Sequence, residues 1–153
     1  MDNGVLYDST VESELNANGV YASVTKGVSM LPLFKTNRDM IILKRPEREL
    51  SRLDVVLYKN KAGKYLLHRI VKVMPNEYII RGDNTFTDEH VPKSEILALL
   101  TEFNRKGKKV STDNRAYRLY SRFWTFIYPV RLLLFKCRSL AARVYRKLFK
   151  KKQ

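Results

Sequence analysis

Between residues 20 and 100 the apolar side chains come in short runs, and turn signals separate them. The runs at 20–24, 40–44, 55–58, 65–73, 77–81 and 94–100 are rich in Val, Ile, Leu and Tyr. Asn60-Lys61-Ala62-Gly63-Lys64 reads as a hairpin turn, and Pro75-Asn76 turns the chain again. Segments this short, joined by tight turns, predict a mostly antiparallel, coiled β-sheet.

At 153 residues the chain has room for one domain and an appendage, and a hydrophobic content of 44% suffices for a core. The charge divides the same way. Up to Asn104 there are 14 basic and 14 acidic residues. From Arg105 onward there are 16 basic residues against one acid, Asp113, so this part carries the whole formal charge of +15. Such asymmetry implies an anionic partner for the tail, either lipid headgroups or nucleic acid. Cys137 is the only cysteine, so an internal disulfide is excluded. Residues 1–18 are acidic and polar, with a short helix expected near 11–15. They lack the basic and apolar regions of a secretory signal.

After Arg115 the periodicity changes. Trp124, Phe126, Ile127 and Tyr128 form an aromatic cluster ahead of Pro129. Val130, Leu133, Cys137, Leu140, Val144 and Leu148 then recur at steps of three or four, with Arg and Lys largely between them. This pattern predicts an amphipathic basic helix, with Cys137 as a small buried member of its apolar stripe. The longest charge-free stretch, residues 123–130, is far short of the ~20 apolar residues that span a bilayer. Aromatic cluster, apolar stripe and basic face together suit a helix lying in a membrane interface.

Three blocks carry chemistry: KGVSMLP at 26–32, LLHRIVKV at 66–73 and IIRGDNTFTDEH at 79–90. In order they supply a serine, a histidine and carboxylates, the three parts of an acyl-transfer site. Ser29 is the candidate nucleophile, whose bland alternative is a helix N-cap. His68 is the candidate base, because an imidazole pKa of about 6.5 lies near working pH. Asp83 and Asp88 are the first candidates to orient it, and Glu89 ranks below them. Asp83 could also simply form a turn. His90 reads as a solvated loop residue. Each block alone is a weak signal; their order and their spacing beside strand-like runs are not.

Together the blocks resemble the signal peptidase superfamily, which includes the LexA-like self-cleaving repressors, over roughly residues 20–100. Leu67-His68-Arg69-Ile70-Val71 resembles the histidine-type branch, archaeal and endoplasmic-reticulum-like, in which histidine replaces the bacterial lysine. The resemblance implies a coiled antiparallel β peptidase domain and a Ser29–His68–Asp site. Gly27, Met30 and Leu31 would lie against substrate, and no metal or organic cofactor is needed. Gly27 has no hydroxyl to add to the oxyanion hole, so backbone donors such as the Ser29 N–H would have to serve. Most signal peptidases carry a transmembrane anchor ahead of the serine, and none is expected here.

The resulting expectation is a leader at 1–18, a catalytic domain at 19–104, a basic linker at 105–122 and an amphipathic basic helix at 123–153. The chain would be a serine endopeptidase. It would remove signal or leader segments from a peptide or preprotein at an anionic membrane surface, peripherally and on the cytoplasmic face. Two rivals are a cytosolic LexA-like maturation protease with one dedicated partner and a non-catalytic nucleic-acid- or membrane-binding protein on the same fold. Retention of every catalytic residue type argues against the second rival, and with it against nucleic acid.

Overall fold

The computed structural model describes residues 8–149, with side chains over 11–146. The first seven residues of the leader lie outside it, as do residues 150–153 and the side chain of Leu148 at the end of the expected stripe.

Helix α1 (Asp8–Asn18) precedes β1 (Val20–Val24) and β2 (Met40–Lys44). Strands β3 (Val55–Lys59) and β4 (Tyr65–Val73) form a hairpin, followed by β5 (Glu77–Arg81) and β6 (Glu89–Pro92). A 3₁₀ turn at Lys93–Glu95 leads into β7 (Ile96–Arg105) and β8 (Lys108–Ser111). Helices α2 (Arg115–Phe126) and α3 (Tyr128–Phe149) close the chain. The sheet is antiparallel throughout, eight-stranded and open, in the order β1-β2-β7-β3-β4-β5-β6. β7 is long enough to pair with β3 near its start and with β8 near its end. The predicted hairpin turn forms as expected: Asn60 Oδ1 accepts the Ala62 and Lys64 N–H groups at 3.0 and 2.9 Å.

The sheet buries apolar side chains on both faces. β3 shows why, since four successive residues, Val55 to Tyr58, are buried. Val55 and Leu57 point into one cluster with Met30, Phe34, Leu43, Leu100 and Phe103. Val56 and Tyr58 point into the other, with Ile70, Tyr78, Ile80 and Val91. α1 seals the first cluster through Val11 and Leu15, one helical turn apart and both fully buried.

Three boundaries differ from the sequence expectation. The leader contributes Val11 and Leu15 to the core rather than standing apart from it. Residues 105–122, expected as a linker, hold β8 and most of α2. Asn114 caps the start of α2, its Oδ1 accepting the Ala116 N–H at 2.8 Å, and the helix buries Tyr117 and Ser121 on the domain. The expected single tail helix breaks at Ile127, and Pro129 takes up the first turn of α3, where its missing N–H costs nothing. On α3, Val130, Leu133, Leu140 and Val144 are exposed, as is Cys137, against the burial expected for it. Among the described residues no helix is long and apolar enough to cross a membrane.

Candidate active site

Strand β4 organises the site because side chains alternate across a strand. His68 lies opposite Val56 of β3, and Arg69 lies opposite Val55. Neighbours in sequence therefore face opposite sides of the sheet.

On one face the His68 ring is buried, at 4% exposure. Its Nδ1 lies 3.0 Å from Glu89 Oε1 and 3.1 Å from the Tyr58 hydroxyl. An ionised carboxylate can only accept, so Nδ1 carries the proton and donates it to Glu89. Nε2 is then the lone-pair nitrogen. It is the one buried side-chain polar atom without a hydrogen-bond partner among the described residues. Burial pushes the His68 pKa below its usual 6.5, and Glu89 opposes that shift only in part. The imidazole is therefore neutral near pH 7. Burial, reinforced by Glu89, raises the Tyr58 pKa well beyond the usual phenol range, so its hydroxyl keeps its proton and donates to that carboxylate.

On the other face Arg69 is 1% exposed. Its Nε and Nη2 each donate to Asp83 at 2.8 Å, a bidentate pair. Nη1 donates to the Leu53 carbonyl at 3.0 Å and Ser121 Oγ at 2.9 Å. The Tyr120 hydroxyl adds a bond to Asp83 Oδ2 at 3.0 Å. Trp124 Nε1 and Arg131 reach the Asp83 carbonyl at 2.8 and 2.6 Å. Burial alone would lower the Arg69 pKa, but the Asp83 charge and hydrogen bonds more than reverse this.

Of the three acids considered from the sequence, Glu89 is thus the one against His68. Asp83 is committed to Arg69, because its carboxylate reaches the α2 side of the sheet. Asp88 is exposed and pairs with Arg81. His90 is exposed on β6 and meets Glu77 at 2.8 Å.

Ser29 sits half-buried in the loop between β1 and β2. Its carbonyl accepts the Asn84 N–H at 2.7 Å, and the Val28 carbonyl accepts Asn84 Nδ2 at 3.2 Å. Gly82 makes this approach possible. A Cβ there would stand 2.7 Å from the Ser29 carbonyl oxygen and 3.1 Å from His68 Cδ2, the ring carbon bonded to Nε2. Loop 82–89 therefore draws the serine block and the histidine ring together. The Ser29 hydroxyl does not hydrogen-bond to Nε2. Such bonds are often loose until substrate arrives.

Gly27 and Met30 line a cavity of about 90 Å³ beside Ser29, with Leu57 and Leu67 among its walls. Leu31 lies instead on a separate open groove against Phe86 and Trp124. β5 pairs with β4 only from Arg69 onward. One backbone edge of residues 66–68, beside this cavity, has no strand partner among the described residues. No cluster of side chains suited to a metal ion occurs among the described residues. No protein-family model and no curated protein matches this chain.

Sequence reasoning passed over Tyr58 and Arg69. A signal existed for the first. The five-residue turn at 60–64 fixes the hairpin register, and that register puts Tyr58 and His68 on one face two residues apart. Arg69 had no comparable signal, since Tyr117 and Ser121, which hold its Nη1 beside the Asp83 pair, arrive from α2, 48 and 52 residues later.

Proposed function

We propose that this chain is a serine endopeptidase of signal-peptidase type, with Ser29 as nucleophile, His68 as base and Glu89 as the acid that orients it. The observation that carries the reading is His68 itself. It is a neutral imidazole with Nδ1 held by a carboxylate and a buried, unpartnered Nε2, packed beside a serine block. A buried acceptor without a donor costs stability, on the order of 1–3 kcal/mol, unless another group uses it.

In the reaction Nε2 takes the Ser29 proton as Oγ attacks the scissile carbonyl. The imidazolium returns that proton to the departing amine, and water then releases the acyl group by the same steps. The Ser29 N–H donates to no described residue and is available to the oxyanion. An extended substrate would pair with the edge of residues 66–68 that no described strand covers. The cavity size favours a small side chain on the acyl side of the cut.

The exposed apolar residues of α3 and its basic residues support action at an anionic membrane surface. There each cation near the surface contributes about 1 kcal/mol. The substrate would be a leader-bearing peptide or preprotein.

The test uses full-length protein on anionic vesicles with extended peptides carrying small residues. Cleavage is expected from the native protein. Ser29→Ala should lose it by several orders of magnitude with an unchanged melting temperature. Undiminished cleavage by Ser29→Ala would overturn the reading.

A further inference from the structure

A second polar cavity, of about 270 Å³, lies between the β2–β3 loop and α2. Four arginines line it: Arg48 and Arg52 from the loop, Arg118 and Arg122 from α2. Two carboxylates share the lining. Asp54 is already neutralised by Arg48 through bonds of 2.8 and 2.9 Å, and Asp113 sits exposed on the lining. Among the described residues the Arg52 side chain donates only through Nε, to the Val71 carbonyl at 3.2 Å. Arg118 and Arg122 form no ion pair or side-chain hydrogen bond among the described residues. Three guanidinium groups with donors to spare therefore converge on one concave site. Guanidinium forks match the oxygens of phosphate and bind them in pairs.

We infer that this cavity binds the phosphate of a phosphate ester, with an anionic phospholipid headgroup as its source. The lipid source is argued from α2 itself. Leu119 is 69% exposed, Phe123 57% and Phe126 80%. They stand beside Arg118 and Arg122 on the same helix, so an acyl chain could run along them while the headgroup enters the cavity. The floor of the cavity includes Tyr117 and Ser121, the two α2 residues that hold Arg69. A bound headgroup would therefore rest on the network that fixes Asp83 and loop 82–89. The inference rests on the anionic-surface part of the proposed function and does not require peptidase activity.

The experiment measures two probes on the full chain: glycerol 1-phosphate by calorimetry, and phosphatidylglycerol vesicles by sedimentation. Arg118→Gln/Arg122→Gln is compared with Arg138→Gln/Arg143→Gln, which removes the same charge from exposed α3 positions. All four side chains are exposed, so both variants should keep the native melting temperature. The α2 variant should bind glycerol 1-phosphate at least tenfold more weakly, and the α3 variant within twofold of the native protein. Vesicle binding should fall more for the α2 variant than for the α3 variant. If native protein binds glycerol 1-phosphate through α2 but does not bind vesicles, the lipid source is overturned and the membrane-surface reading fails with it. If vesicles bind and the two variants weaken equally on both probes, the attraction is diffuse charge. The cavity assignment is then overturned while the membrane-surface reading stands.

Discussion

His68 and Arg69 are adjacent on one strand, yet their surroundings are opposites. Every guanidinium nitrogen of Arg69 has a partner: two bonds to Asp83, with a carbonyl and Ser121 on Nη1. His68 has Nδ1 doubly contacted and Nε2 left bare. Both side chains are buried, so both carry a large desolvation cost. Only on the Arg69 side is that cost fully offset within the protein. A satisfied buried network fixes structure, whereas a buried nitrogen with its lone pair unused is what the proposed base requires.

The sharpest way to break this contrast is on the Arg69 side. Asp83→Ala would leave a buried guanidinium without its counter-charge. It should destabilise the protein by about 3–5 kcal/mol in chemical denaturation. A loss below about 1 kcal/mol would show that Arg69 reaches water and that the two faces are not different in kind.

The next largest effect separates the acids on the other face. Glu89→Gln should lower peptide cleavage about a hundredfold or more, because the amide no longer stabilises imidazolium. Asp88→Asn should change cleavage less than twofold, since Asp88 is exposed and bound to Arg81. Equal losses in the two variants would remove Glu89 from its role.

A pH series probes the same nitrogen. The His68 pKa is below 6.5 in the folded protein because of burial. Between that lower value and 6.5 the unfolded chain binds the proton better. Stability should therefore be fully present above about 6.5, fall as pH drops below it, and stop falling beneath the folded-state pKa. Denaturation midpoints at pH 7.5 and pH 5 should differ less in His68→Gln than in the native protein. An identical difference would mean that His68 does not titrate as a buried group.

The smallest effect concerns Tyr58. Tyr58→Phe keeps the ring in its cluster and removes one hydrogen-bond donor from Glu89. It should cost about 1 kcal/mol of stability. It should also raise the pKa on the acid limb of cleavage, because Glu89, relieved of that bond, attracts the imidazolium more strongly. A pH profile that does not move would reduce Tyr58 to packing.

The strand positions could be read from the chain because they depend on local signals. β1, β2 and β5 fall on the expected runs, and the β3–β4 hairpin follows from its turn residues. A period of two and a Gly- or Asn-bearing turn act within a few residues. The serine and histidine blocks were legible because each is a short contiguous stretch that carries part of the resemblance. The partner of the imidazole was not. Asp83, Asp88 and Glu89 lie within seven residues of one another, and sequence proximity cannot rank them. Pairing of β6 with β5 sets Glu89 opposite Ile80, and α2 recruits Asp83 to Arg69.

The sequence by itself determined the antiparallel strands, the split between a neutral domain and a basic tail, and the residue types of the candidate site. Only the tertiary structure decided that the leader and α2 belong to the domain and that Glu89 meets His68. It also decided that Arg118 and Arg122 share a cavity with Arg48 and Arg52. Hydrophobic period and turn chemistry are written into neighbouring residues. Which charge faces which depends on strand register and helix docking, and these join residues tens of positions apart.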